Sequence, residues 1–137
     1  TIALESTMHH HRLLAAIRDT GMQAGLAINP ASSLVAVDYL LEGMDHICLM
    51  GVEPGADAKD VASSSLLERI TMLRENIRYR ELRTKIFVCG GLSVELAGRA
   101  IATGADIIGM DSSLMAETGA HDVGDAMQKC TALWRSI

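Results

Sequence analysis

A cysteine followed by two glycines is the stretch of this sequence best suited to chemistry. Cys89, Gly90 and Gly91 end an apolar run that begins at Lys85, and Ser93 just beyond them can start a helix. A thiolate can move a proton or bind a soft metal ion, although a buried cysteine is often only a small apolar residue. Paired glycines before a helix let backbone N–H groups approach an anion closely. The stretch therefore predicts an anion-binding turn beside a candidate reactive thiol.

Two other apolar runs also end in residues suited to binding a ligand. Met50 and Gly55 stand at the end of an earlier run, and Ser112 and Ser113 follow a later one. A serine pair at a helix start suits an oxyanion, but the adjacent Asp111 repels one, and a plain helix cap also accounts for these residues. Met50 either belongs to the core or forms an apolar floor beneath a substrate. These residues are the second set of candidate contacts.

Five apolar runs alternate with five amphipathic segments, so that strand and helix follow each other five times. Such alternation predicts an α/β fold with a parallel sheet, in which binding residues lie at the carboxyl ends of the strands. Two architectures fit: a complete doubly wound sheet, or five consecutive units of an eight-unit barrel. The predicted strands are residues 1–4, 24–28, 46–52, 85–89 and 105–110, and the predicted helices are residues 8–20, 31–41, 64–80, 93–103 and 122–134.

Composition limits the classes of partner and compartment. The 137 residues fit a single α/β domain, and a net charge of -5 with 3% aromatic residues argues against a nucleic-acid surface. No apolar stretch reaches the roughly 18 residues of a membrane span. Cys48, Cys89 and Cys130 have no C-x-x-C spacing, which predicts free thiols and a cytoplasmic location. Because the chain starts at Thr1 without Met, we expect an earlier part to be missing.

Five segments resemble the ribulose-phosphate 3-epimerases, in the same order and at matching spacing. Residues 5–14 are similar to the family's Glu-Ala-x-x-His-x-x-Arg segment, and residues 24–30 to its Ala-Gly-(apolar)-Asn-Pro strand. Residues 49–55 resemble Met-Ser-Val-x-Pro-Gly, residues 89–92 stand where the family has Asp-Gly-Gly-Ile, and residues 104–106 precede a strand as they do there. The resemblance implies a (β/α)8 TIM barrel of the ribulose-phosphate-binding type. This chain would be units four to eight, a partial barrel without the first three strands.

The resemblance implies an isomerase of carbohydrate metabolism that acts as a sugar-phosphate 3-epimerase. In that mechanism one acidic group removes the proton beside the carbonyl of a ketopentose or ketohexose phosphate, and a second delivers one to the opposite face. A divalent metal (Zn, Mn or Fe) stabilises the enediolate. Cys89 stands at the family's second catalytic Asp, which implies the roles of acid/base and metal ligand. The metal site in this chain would be incomplete, because the other ligands belong to the missing strands. The implied substrate and phosphate contacts are Met50, Gly55, Gly90, Gly91, Ser112 and Ser113.

The sequence also departs from the family pattern, and the departures leave other functions open. The family's Gly-Phe-Gly-Gly phosphate loop corresponds to residues 55–58, which include Asp57, and its later Gly-Ser contact corresponds to Asp111 and Ser112. Two carboxylates near a phosphate favour an epimerase-like protein for an unphosphorylated sugar, with Lys59 offsetting part of the charge. A catalytically impaired or non-catalytic barrel is a further alternative. We also expect a homo-oligomer, because open edges of a parallel sheet tend to associate.

Overall fold

A parallel sheet of five strands forms the centre of the protein. The computed structural model describes residues 1–53, 55 and 63–135, and within them the strands follow one another across the sheet in chain order. A doubly wound sheet reverses its strand order at a switch point, whereas a barrel does not. The unbroken order therefore decides between the two predicted architectures in favour of the barrel type. The strands are β1 Ile2–Ala3, β2 Gly25–Ile28, β3 His46–Met50, β4 Lys85–Cys89 and β5 Ile107–Ile108.

Helical segments connect the strands and pack against one another in the same order. The first contacts the 3₁₀ segment after β2, which contacts the helix after β3, and so on along the sheet. This succession forms the outer layer of a barrel-type fold. The α-helices are α1 His10–Asp19, α2 Ser63–Tyr79, α3 Val94–Thr103, α4 Ser112–Glu117 and α5 Val123–Trp134, and the 3₁₀ segments are Leu4–Ser6 and Leu34–Gly43.

The core lies between the sheet and this helical layer. Ile47, Leu49 and Val88 are fully buried and belong to one cluster with the apolar faces of the helices. Side chains alternate between the two faces of a strand, so Phe87 and Cys89 point away from that cluster and are only half-buried. The face of the sheet opposite the helices is thus the one that presents the candidate thiol.

Carboxylates fix the amino ends of the strands. Asp45 accepts a hydrogen bond from the backbone N–H of Ala24 at 2.8 Å, and Asp106 accepts one from Ile86 at 2.7 Å. Arg74 of α2 pairs with Asp106 and so connects the helical layer to the same end of the sheet. Because these contacts hold neighbouring strands in register, the carboxyl ends of the strands also come level with one another.

One predicted helix has a different form in the structure. Residues 31–41 were predicted to be α-helical, and the chain instead forms the 3₁₀ segment Leu34–Gly43. Ser33 caps it, accepting a hydrogen bond from Val35 N–H at 3.3 Å. Val35 and Val37 are β-branched and lower the local preference for an α-helix, which is a physical reason for the difference.

A short helix was missed, and the edge strand is shorter than predicted. Asp111, Ser112 and Ser113 were interpreted as an oxyanion contact or a plain helix cap, but no helix was predicted over the residues that follow, where α4 begins at Ser112 with Asp111 as its N-cap. The strand predicted over residues 105–110 is reduced to β5, which pairs only with β4 among the described residues. An aspartate just before a run of good helix formers is the signal that indicates α4.

The strand and helix around the candidate thiol have nearly the predicted bounds. β4 covers residues 85–89 as predicted, and Ser93 caps α3, accepting a hydrogen bond from Leu96 N–H at 3.0 Å. Gly104 ends that helix with φ 131°, a conformation that favours glycine. Across the described part of the chain, none of the helices combines the length and apolar character that a membrane crossing requires.

Candidate active site at the carboxyl ends of the strands

Three sulfur atoms meet where β3 and β4 end. Cys89, the last residue of β4, pairs in register with Met50, the last residue of β3. The Sγ atom of Cys89 lies 3.4 Å from Sγ of Cys48 and 3.6 Å from Sδ of Met50. Cys48 is buried, while Cys89 and Met50 are half-buried. We call Cys48, Met50 and Cys89 the sulfur cluster.

The two thiols of the cluster differ in acidity. The hydrogen bond with Cys48 lowers the pKa of Cys89 to about 7, against the opposing effects of burial and of the negative charge of Asp111. The same hydrogen bond, together with burial, raises the pKa of Cys48 well above its usual range. Cys48 therefore keeps its proton and Cys89 is the thiol that ionises near neutral pH. A group with that pKa is suited to accept and return a proton.

Two glycines that sequence reasoning missed allow the strand ends to approach Cys89. A Cβ atom on Gly51 would lie 2.3 Å from the carbonyl oxygen of Gly90, and one on Gly109 would lie 2.6 Å from Cβ of Cys89. Both also bond to β4, since Gly51 N–H donates to the carbonyl of Cys89 at 2.8 Å and Gly109 N–H to that of Val88 at 2.7 Å. A single glycine within an apolar run is the signal that indicates such a close approach.

The paired glycines form a turn whose N–H group already has an anionic partner. Gly90 and Gly91 have φ of 87° and 67°, values that glycine adopts without strain. Gly91 N–H donates to Oδ2 of Asp111 at 3.1 Å. The other oxygen of Asp111 accepts from the N–H groups of Ser113 and Leu114, at 3.1 and 2.9 Å. A carboxylate of the chain therefore occupies the donors of Gly91 and Ser113, two of the residues expected to hold a phosphate.

The pKa of Asp111 is held below its usual range by these contacts. The largest cause is the hydroxyl of Ser113, which donates to Oδ1 at 2.6 Å, and the backbone donors add to it against the effect of burial. The carboxylate is accordingly charged at neutral pH.

A second carboxylate occupies the N-terminus of the helix that follows the glycines. Glu117, at the end of α4, accepts a hydrogen bond from Val94 N–H at 3.0 Å, next to the Ser93 cap. Sequence reasoning missed Glu117, because its role depends on how α4 folds back onto α3. Both helix N-termini near Cys89 thus have acceptors from within the chain. We call Asp111 and Glu117 the carboxylate pair.

The remaining predicted contacts are not brought into the cluster. Ser112 is exposed as the first residue of α4. Gly55 is exposed with φ of 85°, and no atom lies within 4 Å of the position its Cβ would have. Asp57 and Lys59 lie outside the described residues, so the role predicted for them stays a prediction.

A sequence model of the ribulose-phosphate 3 epimerase family matches residues 1–115, well over half of the chain. The chain belongs to the ribulose-phosphate 3-epimerase family. This confirms the resemblance found in the sequence, and it agrees with the parallel sheet whose strands follow one another in chain order.

Individual relatives agree with the family assignment. The chain is 29% identical to a ribulose-phosphate 3-epimerase of Aquifex aeolicus over 136 residues, 99% of this chain and 60% of the relative. It is 33% identical to that of Buchnera aphidicola over 83% of this chain and 50% of the relative, and 31% identical to that of Escherichia coli K12 over 90% and 55%. The chain thus spans about half of the length of the relatives it matches.

The divalent metal that the family resemblance implies has no complete set of ligands in the described part of the chain. Over residues 1–53, 55 and 63–135, no group of three or more His, Cys, Asp or Glu side chains is placed to hold a metal ion. The donors around Cys89 are sulfur atoms, whereas manganese prefers oxygen ligands and zinc rarely accepts a thioether. The sulfur cluster alone therefore does not fit the predicted zinc or manganese site, and it lacks the His and carboxylate ligands typical of non-haem iron(II).

Proposed function

We propose that this chain carries one of the two proton-transfer groups of a ketose 3-epimerase, and that Cys89 is that group. The observation that supports the proposal is the thiol at the end of β4, whose pKa is lowered to about 7 by Cys48. Membership of the ribulose-phosphate 3-epimerase family supports sugar-phosphate epimerisation as the reaction class.

In this proposal Cys89 acts on the carbon beside the ketose carbonyl. Its thiolate accepts the proton from that carbon, and the electron pair of the broken C–H bond passes into the enediolate. A proton then returns to the carbon from a second acid on the opposite face, which inverts the configuration. Met50, paired with Cys89 in register, provides a neutral apolar surface beside the reacting carbon and helps to exclude water.

The test measures exchange of the carbon-bound hydrogen with solvent in the full-length protein. With ribulose 5-phosphate in deuterated water, we expect Cys89→Ala to lower the exchange rate about 100- to 10,000-fold, the usual contribution of a general base. Cys130→Ala removes a thiol that is buried in α5, a helix that packs against α3, and should leave the rate unchanged. Exchange at the original rate in a folded Cys89→Ala protein would contradict the proposal.

A second candidate function is epimerisation of an unphosphorylated ketose. The carboxylate pair supports it, because Asp111 and Glu117 occupy N–H donors that a phosphate would need. At a separation of about 4 Å, repulsion between one carboxylate charge and one phosphate charge weakens binding by about 1 kcal/mol in water and by about 4 kcal/mol near a protein surface.

This second function is tested by comparing kcat/KM for ribulose and ribulose 5-phosphate. We expect the unphosphorylated sugar to be preferred, and Asp111→Ser to raise kcat/KM for the phosphate ester by about tenfold or more. If the unmodified protein binds ribulose 5-phosphate tightly and ribulose weakly, this second function is contradicted. That result would not affect the role proposed for Cys89.

A further inference from the structure

We propose that the sulfur cluster is a binding site for a soft monovalent metal ion, copper(I), with Cys48, Met50 and Cys89 as its three ligands. The proposal goes beyond epimerisation and does not rest on it, since the argument uses only the positions and chemistry of the sulfur atoms.

The type of donor selects the metal. Two thiols and a thioether are soft ligands, which suit copper(I). Zinc is usually bound by four ligands drawn from Cys, His, Asp and Glu, and a thioether is not among them. Because Met50 supplies the third sulfur, the set favours copper(I) over zinc.

The spacing of the sulfur atoms is close to that of a three-coordinate site. Three sulfurs at about 2.3 Å from one metal ion lie about 4.0 Å apart in a trigonal plane. The Sγ atoms of Cys48 and Cys89 are 3.4 Å apart, and Sγ of Cys89 is 3.6 Å from Sδ of Met50. Both separations from Cys89 are within about 0.6 Å of that value, so Cys89 is placed to share an ion with either neighbour after a small increase in spacing.

The register of the strands disfavours the simplest alternative, a disulfide between Cys48 and Cys89. Cys48 pairs with Phe87, so Cys89 lies two residues further along the neighbouring strand. With strands about 4.8 Å apart and a rise of about 3.3 Å per residue, the diagonal between their Cα atoms is about 8 Å. A disulfide rarely spans more than about 7 Å, whereas a metal ion between the sulfurs adds the missing length.

The surroundings of the cluster suit a cation that arrives from solvent. Cys89 and Met50 are half-buried at the strand ends and provide an entry path, while Cys48 is only 3% exposed. Binding forms two Cu–S bonds to thiolates: Cys48 releases its proton, Cys89 releases the proton of whatever fraction is still a thiol, and the thioether has none to lose. The negative charge of Asp111, which acts on Cys89, favours the incoming ion.

The test is an anaerobic competition titration with copper(I) bicinchoninate, using the full chain and its variants. We expect one tightly bound copper per chain. Cys48→Ser and Cys89→Ser should each weaken binding at least about 100-fold, the upper end of the loss seen for groups that only support a ligand. Met50→Leu keeps the side-chain volume and should weaken binding about tenfold. Copper X-ray absorption should show three sulfur neighbours at about 2.3 Å.

Cys130→Ser is the matched control, because it removes a buried thiol from α5 and should leave the affinity unchanged. Circular dichroism establishes that each variant is folded. The proposal fails if a folded Cys48→Ser or Cys89→Ser protein binds copper(I) as tightly as the original chain. It fails equally if the absorption spectrum shows nitrogen or oxygen ligands in place of sulfur.

Discussion

The sulfur cluster and the carboxylate pair lie on either side of the same glycine turn and differ in how far their polar groups are satisfied. In the sulfur cluster, the hydrogen-bond partners of the Cys89 thiol are two other sulfur atoms, and this thiol ionises near neutral pH. In the carboxylate pair, the N–H groups of Gly91, Val94 and Leu114 already donate to carboxylates. The sulfur cluster therefore contains a thiol that can ionise. In the carboxylate pair, the carboxylates of the chain already accept hydrogen bonds from backbone N–H groups that could bind an anion.

The sulfur cluster and the carboxylate pair depend on different contacts near the same strand end, so a substitution can alter one without the other. In the proposed function, proton transfer depends on Cys89 and on its neighbour Cys48 across the sheet, whereas phosphate binding would depend on the glycine turn and on α4. A loss of phosphate affinity therefore need not remove the proton-transfer group.

The largest expected effect comes from removing the thiol that donates to Cys89. Cys48→Ala should raise the pKa of Cys89 from about 7 toward its ordinary value of 9.0, because the hydrogen bond from Cys48 is the largest cause of the lowering. At pH 7 the thiolate fraction would fall about 50-fold. The ultraviolet absorbance of the thiolate, followed against pH, measures this.

Cys130→Ala should leave that titration unchanged and is the control. If the Cys48→Ala protein still titrates near pH 7, the acidity of Cys89 comes from elsewhere and the contrast between the two thiols is lost.

A smaller effect, on the free energy of unfolding, is expected from a methyl group placed between Gly51 and Gly90. Gly51→Ala places a methyl group 2.3 Å from the carbonyl oxygen of Gly90, a backbone atom that cannot move independently. We expect a destabilisation of about 2 kcal/mol, typical of overpacking, measured by urea unfolding. In the control Gly43→Ala, no atom lies within 4 Å of the new Cβ, and stability should change by less than about 0.5 kcal/mol. Equal effects of the two substitutions would show that Gly51 does not set the approach of the strands.

Removing the charge of Asp111 should lower the free energy of unfolding by a smaller amount. Asp111→Asn weakens the acceptors of α4 and of Gly91, and we expect a loss of about 1 kcal/mol at pH 7. Because the folded-state pKa is lowered, this contribution is present above the ordinary value of 3.8 and is lost as the pH falls through the folded-state value. Unfolding measured at several pH values should show the two proteins converging in acid. A difference that stays constant with pH would mean that the charge is not what stabilises the turn.

Much of the scaffold was predictable because it depends on local pattern. The bounds of β4 follow from an apolar run that ends in glycines, and the cap at Ser93 follows from a serine before a helical stripe. The family resemblance was carried by motifs spread along the chain, and the family match over residues 1–115 confirmed it.

The details of the site were less predictable because they depend on contacts between distant segments. Cys48 was noted only as a free thiol, since its approach to Cys89 requires the register of β3 and β4. Asp111 was predicted to repel a phosphate, but its bond to Gly91 requires the turn and α4 to meet. Glu117 belongs to α4, which was not predicted, and its bond to Val94 requires that helix to fold back onto α3. The roles assigned to Cys89 and to the phosphate contacts stay predictions.

The smallest expected effect on stability comes from removing the Ser113 hydroxyl. This substitution separates the contribution of that side chain to the lowered pKa of Asp111 from the contribution of the backbone N–H groups. Ser113→Ala removes the hydroxyl that is the largest cause of the lowered pKa of Asp111, so that pKa should rise. Stability at pH 7 should fall by about 0.5 kcal/mol, the low end for one hydrogen bond. NMR titration of the carboxyl carbon measures the shift, and Ser112→Ala, whose hydroxyl makes no recorded bond among the described residues, is the control. An unchanged pKa in Ser113→Ala would assign the charge to the N–H groups of Gly91 and Leu114. In that case the carboxylate is held by the same donors that a phosphate would use, and the two would compete directly for the turn.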